Sequence, residues 1–221
     1  MLNKLVSTLL DVIFPWDVIC PVCQRFLVGT EKIICRHCEA DLLRNALTPL
    51  EQVSAHAPLL RCISAFAYDG TARFLIRRLK YHSDSTIALL LAPHMLRALL
   101  QACPSPMWDA VVPVPMHPAK EAVRGYNQAQ LLAEQIAFHL ALPLRTDLLR
   151  RIRDIASQTK RTAQQRRLAM EGVFAADRNV PGLRILLVDD VLTTGATACA
   201  CANALLANGA ASVTLLTACQ A

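Results

Sequence analysis

The sequence predicts an α/β protein: a parallel sheet with helices on both faces, preceded by a small N-terminal four-cysteine module. From residue 61 onward, apolar runs of strand length alternate with segments of helical spacing. Those runs lack an apolar/polar alternation of their own, as expected of strands covered on both faces. Near the N-terminus, Cys20, Cys23, Cys35 and Cys38 form two C-x-x-C pairs eleven residues apart.

The elements follow in order. MLNKLVSTLLDVIFPW reads as an amphipathic helix ending before Pro15. Its apolar stretch is short, Asp11 interrupts it, and no small-residue cleavage site follows, which argues against a signal peptide. Residues 1–50 form the helix and cysteine module, 51–60 a linker punctuated by Pro58, and 61–221 the α/β domain. In that domain CISAFAY reads as a strand, and DGTARFLIRRLKYH as a helix with Phe74, Leu75 and Leu79 at helical spacing. TIALLLAPHMLRALLQAC is a helix with Pro93 near its start or at a kink. WDAVVPVPMH is a buried strand stopped by Pro113 and Pro115, and NQAQLLAEQIAFHLAL a helix capped by Asn127. RILLVDD is a strand, ATACACANALLANG a helix of small residues with Gly209 just past its end, and SVTLLTAC a last strand.

An apolar content of 54% with 18% charged residues excludes a disordered chain, and no apolar run is long enough to span a bilayer. The expected location is the cytoplasm, where nine cysteines indicate metal binding or burial rather than disulfides. Two C-x-x-C knuckles present four thiolates tetrahedrally, which suits a structural zinc ion with no open coordination position. Arg25, Lys32, Arg36 and His37 lie near enough to moderate such an anionic site, with His37 not a ligand. The net charge of +6 is uneven: residues 150–167 hold seven basic residues and one acid, Asp154. Such a run is a solvated face or an anion-binding loop.

ILLVDDVLTTGAT, residues 185–197, carries the chemistry. Asp189 and Asp190 end a strand, the place where ligands bind in open α/β sheets. Two carboxylates there suit a vicinal diol and can help hold a divalent cation through water. Thr193, Thr194, Gly195, Ala196 and Thr197 lead into a helix, whose first N–H groups favour phosphate. Acids for a diol beside donors for a phosphate describe a ribose 5-phosphate. None of the seven glycines is followed by lysine, so no P-loop exists, and no G-x-G-x-x-G is present. A receiver domain would place its acid pair after the first strand, whereas here one clear strand follows the pair.

This segment resembles, position for position, the signature that binds phosphoribosyl pyrophosphate (PRPP) in type I phosphoribosyltransferases. Together with VVPVPMHPAKEAVRGYNQAQLLAEQIA and the cysteine pairs, the chain resembles the ComF/GntX family over nearly its whole length. The resemblance implies a PRPP site with magnesium: Asp189 and Asp190 on the ribose, residues 193–197 on the 5-phosphate, and the loop 115–118 on pyrophosphate. His117, Lys120 and Arg124 are then anion partners. Lys160, Arg166 and Arg167 belong to a basic segment like the one that closes over PRPP. Where the family carries asparagine this chain has Ala169, so no role of that amide transfers.

The resemblance also implies a role in DNA uptake and use, with single-stranded DNA and uptake proteins as partners. Three readings stand: a PRPP-binding protein acting in DNA uptake, a phosphoribosyltransferase for an unidentified nucleobase or amine without a DNA role, and a non-catalytic single-stranded-DNA module. Sparse aromatics count against the last. No hood follows the final strand in the sequence, which leaves the cysteine module and linker as the material that could serve an acceptor; they show no aromatic-lined base pocket, and Trp16 and Phe26 are isolated candidates.

Overall fold

The computed structural model describes residues 19–48, 52–54, 57–81, 84–104, 108–153, 169–170 and 172–221. The expected N-terminal helix, Trp16, Lys160, Arg166 and Arg167 lie outside the described residues. The elements are α1 (Arg36–Arg44), β1 (Gln52–Ser54), β2 (Ala57–Ala67), α2 (Gly70–Tyr81), α3 (Thr86–Ala102), β3 (Ala110–Pro113) and α4 (Pro118–Arg124). Then follow α5 (Gln128–Leu140), β4 (Leu149–Arg151), β5 (Phe174–Ala176), β6 (Arg184–Leu192), α6 (Ala196–Ala207) and β7 (Ser212–Gln220).

Strands β2, β7, β6 and β3 pair in parallel in that order, and β1 adds antiparallel to β2. Strand side chains alternate between faces, so β6 feeds two cores. Leu186 and Val188 pack on one face with α2, α3 and α5. Ile185 and Leu187 pack on the other with α6 and the antiparallel pair β4–β5. The parallel sheet covered on both faces is therefore as the uninterrupted apolar runs predict. Helix α3 continues through Pro93; Leu91, Met95 and Leu99 around it are fully buried, and this packing offsets the lost hydrogen bond. Asn127 caps α5, its Oδ1 accepting the Ala129 N–H at 3.0 Å.

The stretch 51–60, read as a linker, carries β1 and the start of β2. Pro58 is compatible with a strand because it is the second residue of β2, at the irregular end of the pairing with β1 and ahead of Leu60, where pairing with β7 begins. The cysteine module does not stand apart. Cys20, Ile34, Cys35, Cys38 and Leu42 belong to the same core as α2 and α3. The Asp41 carboxylate accepts the Thr71 hydroxyl of α2 at 2.6 Å, and Ala67 N–H donates to Asn45 O at 2.8 Å.

At the opposite end from the strand tips, Asp109 pins β3 to β6. Its carboxylate accepts Arg184 N–H at 2.8 Å, Nε at 3.0 Å and a terminal guanidinium nitrogen at 2.7 Å. The Arg184 side chain, then its backbone N–H, hold the Asp109 carboxyl down at about 2. A depressed folded value means stabilisation present above the unfolded carboxylate range and lost as pH falls through about 2. Asp109→Asn is thus expected to lower Tm at pH 6, with the gap to wild type closing as pH falls toward 2. Thermal melts across that range check it, and a pH-independent gap would contradict it.

Candidate functional site

A cavity of about 400 Å³ opens where β3 and β6 end. Asp189 and Asp190 border it from β6, Tyr68 from the connection between β2 and α2, Lys80 and Tyr81 from the C-terminal end of α2, and Arg151 from β4. Pro115 and Met116, in the loop after β3, and Lys120 and Arg124 of α4 also line it. A smaller lobe of about 40 Å³ shares Asp189, Val191, Thr193 and Thr197 with it and reaches Gly195 and Ala196.

Strand β6 runs on to Leu192, because β7 pairs with it as far as Gln220. The two acids therefore lie within the strand rather than at its end, and alternation sends them to opposite faces. Asp190 turns toward α2. Its Oδ2 is buried in an ion pair 2.7 Å from Lys80 Nζ, and among the described residues no group donates a hydrogen bond to it. Asp189 borders the smaller lobe, and its Oδ1 accepts the Asp190 N–H at 2.8 Å. Burial, and after it the neighbouring Asp190, push the Asp189 carboxyl well above the usual carboxylate range. Burial works against the charge on Lys80, but Asp190 outweighs it, and the net effect raises the Lys80 ammonium above its ordinary value. Lys80, like the wall residues Tyr68, Tyr81 and Arg151, was missed by sequence reasoning: a helix C-terminal lysine gives no signal of a partner on a distant strand.

Gly195 enters α6 at φ +73°, the left-handed region that glycine adopts without strain, and supplies no side-chain cap. The first-turn N–H groups of α6 therefore face the small lobe without a competing side-chain acceptor. Thr217, opposite Asp189 on β7, is committed elsewhere: its hydroxyl donates to Cys219 O at 3.1 Å.

Each residue of the RGYNQ run has a place. Arg124 lies 5.5 Å from the centre of the Tyr81 ring and donates to Gln128. Gly125 closes α4 at φ +87°. The Tyr126 hydroxyl donates to Leu79 O, tying α4 to the last turn of α2. Asn127 Nδ2 donates to Val114 O at 3.0 Å, fixing the loop after β3. Of the anion candidates, Lys120 and Arg124 line the cavity, while His117 is not among its wall residues. His117 instead caps α4, with Nδ1 accepting the Ala119 N–H at 3.2 Å. Ala169 lies in a helical turn with Met170.

The four cysteines meet. The Sγ atoms of Cys20, Cys23, Cys35 and Cys38 all lie within 4.8 Å of one another, an arrangement able to hold one metal ion. Cys20 and Cys23 sit on a tight turn bridged by Ile19 and Phe26, and Cys35 and Cys38 at the N-cap and first turn of α1. Burial acts to raise the Cys20 thiol, but backbone N–H groups of Cys35, Cys23 and Val22 bring it down to about 7. The Glu31 carboxylate joins the knuckles, accepting the N–H groups of Val28 and Arg36, both at 2.8 Å. Arg25, Lys32, Arg36 and His37 are all exposed around it.

The parallel sheet with helices on both faces is the fold of a phosphoribosyltransferase-type domain, and residues 123–221 match the family model "Phosphoribosyl transferase domain". The DNA utilization protein YhgH of Salmonella typhi is 32% identical over 205 residues, 91% of this chain and 90% of its own. Competence protein ComFC of Bacillus subtilis (strain 168) is 31% identical over 203 residues, 90% of this chain and 76% of its own. Among solved structures, adenine phosphoribosyltransferase from Leishmania tarentolae is similar over 73% of this chain and 78% of its own, at 16% identity and a TM-score of 0.40. The chain belongs to the ComF family. No helix among the described residues is long and apolar enough to cross a membrane.

Proposed function

We propose that the crevice binds PRPP and that this binding serves DNA uptake and use in the cytoplasm. The observation that carries the reading is the convergence of Asp189, Asp190, the uncapped start of α6, and Lys120 and Arg124 on one crevice. The small lobe takes the 5-phosphate on the first-turn N–H groups and threonine hydroxyls of residues 193–197. The acids accept hydrogen bonds from the ribose diol. Lys120 and Arg124 face the pyrophosphate, where charge-assisted contacts are strongest.

The donor set fits a hydrated magnesium ion only indirectly. Lys80 already stands at Asp190 Oδ2, so such an ion would be carried by the oxygens of PRPP, with Asp189 accepting from its waters. Magnesium there would offset charge on the pyrophosphate. The four-cysteine centre suits zinc, since a closed set of thiolates is its usual structural site.

Where an acceptor is present, the bond from the anomeric carbon to pyrophosphate breaks with its electron pair on pyrophosphate. A nitrogen lone pair of the acceptor forms the new bond, and that nitrogen loses its proton. The chain's share is to hold the diol and the leaving group in line and to supply cations where charge develops. The DNA part of the reading rests on the names of the relatives and on exposed cations such as Arg25, Lys32 and Arg150. Such cations give salt-sensitive, sequence-independent binding to single-stranded DNA and a surface for uptake proteins.

Titration with PRPP and magnesium tests the site. Asp189→Asn/Asp190→Asn is expected to weaken binding roughly 100-fold, two lost charge-assisted contacts at the usual strength. Equal affinity would overturn the assignment. Pyrophosphate release screened against nucleobases and amines tests transfer, and labelled single-stranded DNA titrated at two salt concentrations tests the DNA role.

A further inference from the structure

We infer that Tyr81 is a stacking ledge for a planar nucleobase, placed at the edge of the crevice under the Arg124 guanidinium. The inference rests on the phosphoribosyl reading above and names the class of group that sits beside the sugar. Only 5% of the chain is aromatic, with three tyrosines. All three gather here. Tyr68 and Tyr81 line the cavity, and Tyr126 clamps the backbone one residue ahead of Lys80.

Tyr81 is 70% exposed, so its ring contributes little to the core and keeps area free for a ligand. The chain nevertheless spends a neighbouring residue on it: Arg124 stands 5.5 Å from the ring centre. Tyr68 is likewise accompanied by Arg73 at 6.0 Å. Arginine beside tyrosine makes a surface that is flat, polarisable and cationic, suited to the π-face of a base and to the phosphate attached to it.

Position supports the same ligand. Tyr81 follows Lys80, whose ammonium touches the diol acid Asp190. In a nucleotide the base is carried on the carbon next to the diol, so an aromatic partner belongs beside the diol acids and not across the crevice. The expected pocket aromatics do not meet this requirement: Phe26 is 67% exposed on the cysteine knuckle and is not among the wall residues, and Trp16 lies outside the described residues. Stacking does not select among bases, so purines and pyrimidines are both accepted. A free base or nucleotide and a base on a single strand share this chemistry. DNA lacks the 2′-hydroxyl, so a strand would use the ledge without the full diol anchor.

The test is calorimetric titration of the full chain with ribose 5-phosphate, adenosine 5′-monophosphate and a single-stranded deoxythymidine oligonucleotide. Wild type is expected to bind the monophosphate roughly tenfold tighter than ribose 5-phosphate, the usual gain from one stacked base. Tyr81→Ala removes that gain and Tyr81→Phe keeps it. Equal binding of the two ligands by wild type, with no Tyr81→Ala loss on the oligonucleotide, would overturn the ledge, as would a Tyr81→Ala loss that falls equally on ribose 5-phosphate and the monophosphate. Absence of ribose 5-phosphate binding would sink the phosphoribosyl reading instead; the ledge then stands only if the monophosphate or the oligonucleotide binds and Tyr81→Ala abolishes it. A Tyr81 effect on the oligonucleotide alone assigns the ledge to single strands, and one on the monophosphate alone assigns it to nucleotides.

Discussion

Serine at Cys35 or Cys38 is expected to destabilise the whole protein and not only its N-terminal knuckles. Metal held by four thiolates contributes folding free energy directly, because the site does not exist in the unfolded chain. In this protein the knuckles also close one end of the main core: Cys35 and Cys38 are buried with Ile34 and Leu42 against α2 and α3. A loss of about 4 kcal/mol or more is expected, which for a chain of this size lowers Tm by roughly 10 °C. Chelation should do the same and added zinc should reverse it. His37→Ala is the control, an exposed side chain within the same knuckle. Metal analysis and thiol titration complete the test. Less than one metal per chain with four freely reactive thiols would remove the site, and a knuckle that melts alone while the sheet stays folded would refute the shared core.

Much of this architecture was legible because burial on both faces leaves a simple mark. Residues 185–188, 110–112 and 213–219 are apolar almost without interruption, and all lie in parallel strands. Asn127 announced its cap, and the two C-x-x-C pairs announced their meeting. What escaped had either no period or no local signal. Strands β4 and β5 have three residues each, too few to show alternation, and the arginines of β4 resemble a solvated run. Prolines in the supposed linker outweighed its strand character. His117, chosen for its place after a strand, spends its ring nitrogen on a helix cap. Tyr68 and Tyr81 are thirteen residues apart in sequence and only the fold brings both to one crevice, with Tyr126 bonded to the last turn of α2 beside it. The acid pair lies inside β6 and not at its end as expected, and its electrostatics depend on a lysine from another element.

That lysine gives the second large effect. Lys80→Met leaves Asp190 buried with neither an ion pair nor a hydrogen bond at Oδ2, and breaking one side of a buried pair costs about 3–5 kcal/mol. Replacing both partners, Lys80→Met with Asp190→Leu, is expected to recover most of that loss, since two apolar groups leave no orphaned charge. The neighbouring acid should behave in the opposite way. Asp189 is raised by burial and by Asp190, so the folded state binds its proton more tightly than the unfolded chain does. Its ionisation therefore costs stability, progressively as pH rises above the ordinary carboxylate value. Asp189→Asn keeps an oxygen for the Asp190 N–H and removes the charge, so the empty protein should melt higher than wild type at neutral pH. For Lys80 the sign runs the other way: its raised folded value gives stabilisation that is complete below the unfolded lysine range and is lost at alkaline pH, as the ammonium finally titrates. Melts of Asp189→Asn, Asp190→Asn and Lys80→Met from about pH 5 up into the alkaline range above the ordinary lysine value separate these contributions. A wild-type site under such tension is what a binding crevice requires, because a ligand that supplies hydroxyl donors to Asp189 recovers the stability that its empty carboxylate gives up. If Asp189→Asn and Asp190→Asn destabilise alike, the two acids are equivalent and this account of the site fails.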